Sequence, residues 1–247
     1  AEQIAAEKAG IIKPGCEAVL YGQSQGVRAV VEDVCRRLEV PLTVTAPPRM
    51  LSAGPEGQTF TYRGAGPYHI SLLGEYQVRN AAVVLETVNV LRRRGWAISE
   101  DALNRGLSQA RWPGRMELAR RSPDVLLDGG HNPQCMEALA RSLQALYPGK
   151  KLIFLTGVLA DKNWTAMMEQ LLPLAKEFYT ITPDSPRAKS AADLAAWLES
   201  RGGRAVPCET VRDGLDQALA AAGPQDAVCA CGSLYMIGEA RRLLGLC

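Results

Sequence analysis

From residue 124 onward, short apolar runs alternate with longer amphipathic stretches, a pattern few folds accept. The apolar runs lie at 124–128, 151–157, 179–182, 204–208 and 227–231, and the helical patterns at 133–147, 164–178, 191–200, 211–222 and 234–246. Met136, Leu139, Leu143 and Leu146 recur three or four residues apart, which is one face of a helix; Met167, Leu171, Leu174 and Ala175 mark another. Short strands alternating with helices of this length predict an α/β domain. Its sheet is Rossmann-like and mainly parallel, covered on both faces and joined by right-handed crossovers.

The first half reads differently. A strand at 17–21 precedes a helix traced by Val27, Val30, Val31, Val34 and Leu38, and a second strand follows at 42–45. Alternating segments at 58–63 and 68–72 flank Gly64-Ala-Gly66 and predict an antiparallel hairpin with a loop slightly longer than two residues. Helices over 78–93 and 100–110 complete this half, the latter capped by Ser99. Trp112-Pro-Gly-Arg115 then breaks the pattern. It divides the chain into a first domain at 1–112, a linker at 113–116 and an alternating domain at 117–247.

Chemistry concentrates where the first alternating strand ends. Asp128 closes the apolar run Val125-Leu-Leu127, and Gly129 and Gly130 permit a sharp turn. His131 follows, then Asn132 as a natural N-cap and Pro133 at the first helical position. A carboxylate, an imidazole and a helix N-terminus thus meet at the carboxyl edge of a strand, where open α/β sheets bind ligands and helix N-termini favour phosphates. The alternative is a capped turn bearing a surface histidine.

Composition sets the class. With 47% hydrophobic residues in 247, core material is ample, and a net charge of +2 gives no electrostatic footprint for nucleic acid or anionic membrane. No apolar run is long enough to span a bilayer, and the first residues show no basic-then-apolar signal segment. The seven cysteines (Cys16, Cys35, Cys135, Cys208, Cys229, Cys231 and Cys247) are scattered, which predicts reduced thiols in the cytoplasm. Cys229-Ala-Cys231 lacks a second Cys/His pair at zinc spacing and reads as structural. The sequence opens on Ala1 inside a helical pattern that stops at Ala9-Gly10, so it reads as a piece of something longer.

Six short runs occur in a telling order: Glu7-Lys-Ala-Gly-Ile-Ile-Lys-Pro-Gly15, Gly74-Glu-Tyr-Gln-Val-Arg-Asn-Ala-Ala82, Trp112-Pro-Gly-Arg-Met-Glu117, Asp128-Gly-Gly-His-Asn-Pro133, Asp161-Lys162 and Gly232-Ser-Leu-Tyr235. Together they resemble the folylpolyglutamate synthases and the bifunctional dihydrofolate synthase/folylpolyglutamate synthases of the Mur ligase superfamily. The resemblance spans essentially the whole chain. It implies an ATP- and Mg²⁺-dependent ligase that joins L-glutamate to folate or dihydropteroate through an acyl phosphate, as a cytoplasmic monomer. On this view residues 1–112 are the C-terminal part of the ATPase domain and 117–247 the glutamate-ligase domain.

The resemblance also implies roles. Lys8 is the position carbamylated to give magnesium an oxygen ligand; by itself it reads as a solvated lysine in a last helical turn. Asn80 is an ATP contact, or else a polar residue near a helix N-terminus. Arg115 is the linker arginine, whose planar fork suits bidentate phosphate binding, or else one of 28 basic side chains on the surface. Asp128 is to organise the ATP ribose or phosphates, His131 to lie near the transferring phosphoryl group, and Ser233 to bind glutamate or simply to cap its helix. His69 reads as structural. Gly130, Asn163 and Cys231 depart from the usual Ala, Asp and Thr. The Gly-rich phosphate loop is not in this sequence; Gly149-Lys-Lys151 is its nearest imitation, lacking the first glycine and the following Ser/Thr. The 247 residues alone are therefore expected to be inactive. Two other readings stand beside this one: a Mur ligase of peptidoglycan synthesis, and a non-catalytic nucleotide- or folate-binding module.

Overall fold

The chain divides into two units, one made of Ala1–Ser71 with Glu75–Ala110, the other of Leu72–Gly74 with Arg111 onward. This computed structural model describes residues 1–22 and 24–246, so Cys247, one of the expected reduced thiols, lies outside the described residues. In the first unit, α1 (Glu2–Ala9) stops at Gly10 as the Ala-Gly pair predicts. It packs on α2 (Gln25–Arg37) around a small core of Ala9, Ile12, Val31, Cys35 and Val40. Strands β1 (Ala18–Leu20) and β2 (Leu42–Val44) pair in parallel.

Three antiparallel strands follow: β3 (Arg49–Gly54), β4 (Gly57–Tyr62) and β5 (Ala65–Ile70). The expected hairpin is β4–β5, but its loop is two residues, not longer. Arg63 (φ 48°) and Gly64 (φ 79°) both take the left-handed region that a tight hairpin needs to match strand twist. Strand β3 has no counterpart in the sequence reading, because its side chains are almost all exposed and no apolar alternation marks it. Helices α3 (Glu75–Arg93) and α4 (Glu100–Gln109) end the unit, and Ser99 caps α4 by accepting a hydrogen bond from Ala102 N at 3.0 Å.

The second unit is built on β6 (Glu117–Arg120), β7 (Asp124–Asp128), α5 (Pro133–Leu146), β8 (Leu152–Thr156), α6 (Trp164–Leu171), β9 (Ala175–Thr180), α7 (Ala191–Ser200), β10 (Ala205–Pro207), α8 (Val211–Ala221), β11 (Ala227–Cys231) and α9 (Leu234–Leu243). The six strands run in the order β10-β9-β8-β11-β7-β6, parallel throughout except for the edge strand β6. Every residue of β8 and β11 is buried, as a parallel strand covered on both faces requires. Val125, Leu127, Ile153, Leu155, Val228 and Ala230 pack under α8 and α9. Strand alternation turns Leu126, Phe154 and Cys229 to the other face, where Phe154 stacks on Phe178 with ring centroids 5.4 Å apart.

One expected helix is cut short. The pattern over 164–178 yields α6 only to Leu171, then a turn of 3₁₀-helix at Leu172–Leu174, then β9 from Ala175. Pro173 cannot donate to a continuing α-helix, and the residues beyond it find their backbone partners in β8 and β10 instead. The last strand, β11, inserts between β7 and β8, so the crossover through α5 passes over it. That insertion sets Asp128, Cys231 and Thr156 in register at the carboxyl ends of three adjacent strands. Strand order reverses there, which is where open α/β sheets hold their ligands.

Candidate functional site

Asp128 anchors this edge. Its side chain is buried, and each carboxylate oxygen accepts a backbone hydrogen bond: Oδ2 from Met116 N at 2.9 Å, Oδ1 from Gly130 N at 2.7 Å. A third bond, from Gly129 N to Gly114 O at 2.7 Å, stitches the Trp112-Pro-Gly-Arg-Met116 run to the end of β7. The carboxylate therefore fixes two segments at once, the turn into α5 and the backbone just after Arg115, while Gly129 N holds the backbone just before it. Arg115 itself is half-buried.

His131 stands at the head of α5, half-buried. Its Nδ1 lies 3.0 Å from Gly129 O. A carbonyl only accepts, so Nδ1 carries the proton and Nε2 is the ring's working atom: an acceptor when the ring is neutral, a donor when it is charged. Asn132 caps the helix by accepting from Cys135 N at 2.9 Å, and Pro133 takes the first helical position, both as the sequence predicts.

At the end of β11, Gly232 adopts φ 112°, and a Cβ there would lie 2.6 Å from Gly157 O and 2.9 Å from Thr156 Oγ1. Only glycine lets the β8 and β11 turns approach so closely. Ser233 is buried and caps α9, its Oγ accepting from Tyr235 N at 3.3 Å. The Leu234 side chain covers Gly129, where a Cβ would collide with it. Beyond β8, Asp161 pairs with Arg187 at 2.7 Å. Asp161 and the Tyr235 hydroxyl both hold the Arg187 guanidinium above its ordinary pKa. Asn163, where an aspartate is usual, caps α6 through Ala166 N at 3.4 Å.

The residues singled out in the sequence fall into two groups. Arg115, Asp128, His131 and Ser233 line one edge of the second unit. Lys8 and Asn80 belong to the first. Asn80 is exposed on α3, its Nδ2 donating to Gln77 Oε1 at 2.9 Å. Lys8 is exposed in the last turn of α1, its Nζ 3.3 Å from Glu7 Oε1. Among the described residues no three His, Cys, Asp or Glu side chains gather as a metal cluster. The Gly149-Lys-Lys151 run sits at the amino end of β8, away from this edge. Lys150 Nζ donates to Gln225 O at 2.8 Å and Lys151 Nζ to Pro173 O at 2.5 Å, so both ammonium groups serve as backbone ties. The six described cysteines are free thiols, and Cys229 is driven well above the ordinary thiol range by its bond to Cys231 and by burial.

Sequence reasoning left Glu117, Arg187 and Arg241 without a part. Glu117 accepts from Gly114 N at 2.7 Å and takes a two-pronged contact from Arg241, at 2.9 and 3.2 Å. Its only signal was its place at the end of the Trp112-Pro-Gly-Arg-Met-Glu117 run.

The sheet is mainly parallel with an antiparallel edge strand and carries an Asp-Gly-Gly-His-Asn-Pro turn at its switch point, and residues 114–234 match the Mur ligase, glutamate ligase domain. The chain is homologous in sequence and structure to folylpolyglutamate and dihydrofolate synthases. It is 30% identical over 253 residues to the dihydrofolate synthase/folylpolyglutamate synthase of Bacillus subtilis (strain 168), covering 98% of this chain and 58% of that protein. The Mycobacterium tuberculosis folylpolyglutamate synthase complexed with ADP and AMPPCP superposes with a TM-score of 0.85 at 28% identity, covering 99% of this chain and 59% of that one. A Yersinia pestis bifunctional folylpolyglutamate synthase/dihydrofolate synthase complexed with AMPPNP and a Mn ion gives 0.80 at 26% identity, covering 99% and 57%. The chain thus spans less than three-fifths of the length of these relatives. Among the described residues no helix is long and apolar enough to cross a membrane.

Proposed function

We propose that this chain acts in the ATP-dependent ligation of L-glutamate to folate or dihydropteroate. Residues 117–247 form the ligase domain, 113–116 the linker, and 1–112 contribute to the ATPase domain. The folate carboxylate attacks the γ-phosphorus of ATP, the bond to the β–γ bridging oxygen breaks, and ADP leaves. The glutamate amine then attacks the acyl carbon of the acyl phosphate, the C–O bond to phosphate breaks, and the amine gives up a proton.

The observation that carries this reading is the Asp128–His131 turn. A buried carboxylate spends both oxygens on backbone amides and so presets the imidazole at a helix N-terminus, beside the strand-end turns of β8 and β11. Fixed donors aimed at developing phosphoryl charge are what such a reaction needs. In its charged form His131 Nε2 donates to a phosphoryl oxygen. Arg115 supplies a guanidinium for the ATP phosphates, Asn80 an amide for the nucleotide, and Ser233 positions glutamate. Asp128 works through the backbone it holds. Six free thiols suit a cytoplasmic setting, and a monomer is the proposed state.

Magnesium accompanies ATP in this proposal. The Lys8–Glu7 pair offers one carboxylate and one amine, and a magnesium shell needs more oxygen than that, so these two residues alone do not fit the ion. In the complete gene product, His131→Ala should lower folate- and glutamate-dependent phosphate release on the order of 10²-fold. Unfolding should barely move, because His131 makes a single side-chain hydrogen bond at a half-buried position. Turnover equal to that of the unmodified protein, with ATP and folate saturating, would refute the assignment.

A further inference from the structure

The backbone around Arg115 is held in an improbable shape. Gly114 has φ 67° and Met116, a buried non-glycine residue, φ 45°. Left-handed residues flank Arg115 on both sides, and such a conformation lasts only where the surroundings over-determine it. Asp128 supplies part of that constraint through Met116 N, and Gly129 part through Gly114 O. Glu117 supplies the rest. Its carboxylate accepts from Gly114 N and is clamped by both prongs of Arg241, which comes from α9, one turn along the same face from Ile237, the side chain that closes over Gly114.

We propose that Glu117 and Arg241 are a positioning pair for ligation: together they lock the 114–116 backbone so that the Arg115 guanidinium is presented to the nucleotide. Two features separate this pair from an ordinary surface ion pair. Both side chains are mostly buried, 20% and 23% exposed, so solvent screens them weakly. The carboxylate is also shared with a backbone amide of the segment being held, so its loss is felt in backbone geometry and not only in charge. The pair never touches substrate on this view. It acts through Arg115, and so the inference rests on the nucleotide role proposed for that residue.

The test is a double-mutant cycle on the complete gene product, with Glu117→Gln, Arg241→Lys, Arg115→Ala and Arg115→Ala combined with Glu117→Gln. Steady-state rates are measured against ATP and, separately, against glutamate, with a thermal melt for each protein. Glu117→Gln keeps an oxygen for Gly114 N but drops the charge facing Arg241. It should raise the KM for ATP roughly tenfold with kcat and glutamate KM little changed, since a displaced positioning group weakens binding of the ligand it faces. Arg241→Lys keeps the charge but loses the two-pronged contact, and should raise the KM for ATP in the same direction by a smaller factor. In the Arg115→Ala background, Glu117→Gln should raise ATP KM no further. Additive effects of the two substitutions would overturn the inference, as would a Glu117→Gln protein with unchanged ATP KM or one whose activity falls only with its folded fraction. Should Arg115→Ala itself leave ATP KM unchanged, the nucleotide role of Arg115 fails first. A raised ATP KM for Arg115→Ala with none for Glu117→Gln or Arg241→Lys defeats the positioning pair alone.

Discussion

Replacing Asp128 by asparagine should separate what this residue does for the fold from what it does for chemistry. The change is nearly isosteric. It removes one acceptor and introduces an NH₂ donor into a buried site where two backbone N–H groups, Met116 N and Gly130 N, converge on the carboxylate. An amide oxygen can satisfy one of them; the other then faces a donor. A buried donor left unsatisfied costs about 1–3 kcal/mol, and converting the surviving charge-assisted bond to a neutral one removes about 1 kcal/mol more. A net loss of about 2–4 kcal/mol follows. For a unit of this size each kcal/mol moves the midpoint by roughly 3–5 °C, so the second unit should melt on the order of 10 °C lower. Differential scanning calorimetry of the complete gene product reads this directly, and Asp128→Ala, which orphans both amides, should melt lower still. Turnover measured well below the new midpoint should also fall, because the turn carrying His131 loses its anchor. A midpoint within about 2 °C of the unmodified protein would refute the claim that this carboxylate holds the two segments together.

Three further expectations can be checked independently. Gly232→Ala should cripple ligation and cost about 2 kcal/mol or more in denaturant unfolding, since a Cβ would press on Gly157 O at 2.6 Å from a backbone at φ 112°. Burial raises the Glu86 pKa, but hydrogen bonds from Tyr62 and Arg63 outweigh it and leave the carboxyl below its ordinary value. A folded-state pKa that is depressed contributes stability above the unfolded value, lost as pH falls through the folded one. The first unit should therefore weaken below about pH 4, and Glu86→Gln should flatten that acid limb in pH-dependent melts. The Cys208 thiol is pushed up to about 11 by burial first and by Asp213 second. Iodoacetamide at pH 8 should label the half-buried Cys16 and Cys135 first and reach Cys208 only on unfolding, an order that peptide mass spectrometry reveals.

How much of this was legible beforehand depends on whether the signal was local. The helix that follows β7 announced itself through Asn132 and Pro133, whose capping and dihedral preferences act within three residues. Strand β11 was readable to the residue, because burial on both faces demands an unbroken apolar run. Strands β3 and β6 were not readable. Both are short or exposed edges, each carries a register irregularity, and neither needs an apolar stripe. The start of β9 was hidden by residues that also satisfy helical spacing, and tertiary pairing beyond Pro173 settled the matter.

The site shows the same division more sharply. Asp128 and His131 drew notice because a strand end, two glycines and a cap stand next to one another in sequence. Spacing could not show that the Asp128 carboxylate is taken up by the amide of Met116, twelve residues earlier. Still less could it show that Glu117 is braced by Arg241, 124 residues later. The first follows from β6 pairing back on β7, and the second exists only because β11 inserts beside β7 and brings α9 with it, so both belong to topology rather than to motif. The consequence for substitution is concrete. Residues proposed to present chemistry to a ligand, His131 and Arg115, sit half-buried and make few ties, so exchanging them should change rates more than stability. Residues that hold the backbone, Asp128 and Glu117, should change both, and the ratio of the two effects identifies which kind of residue has been altered.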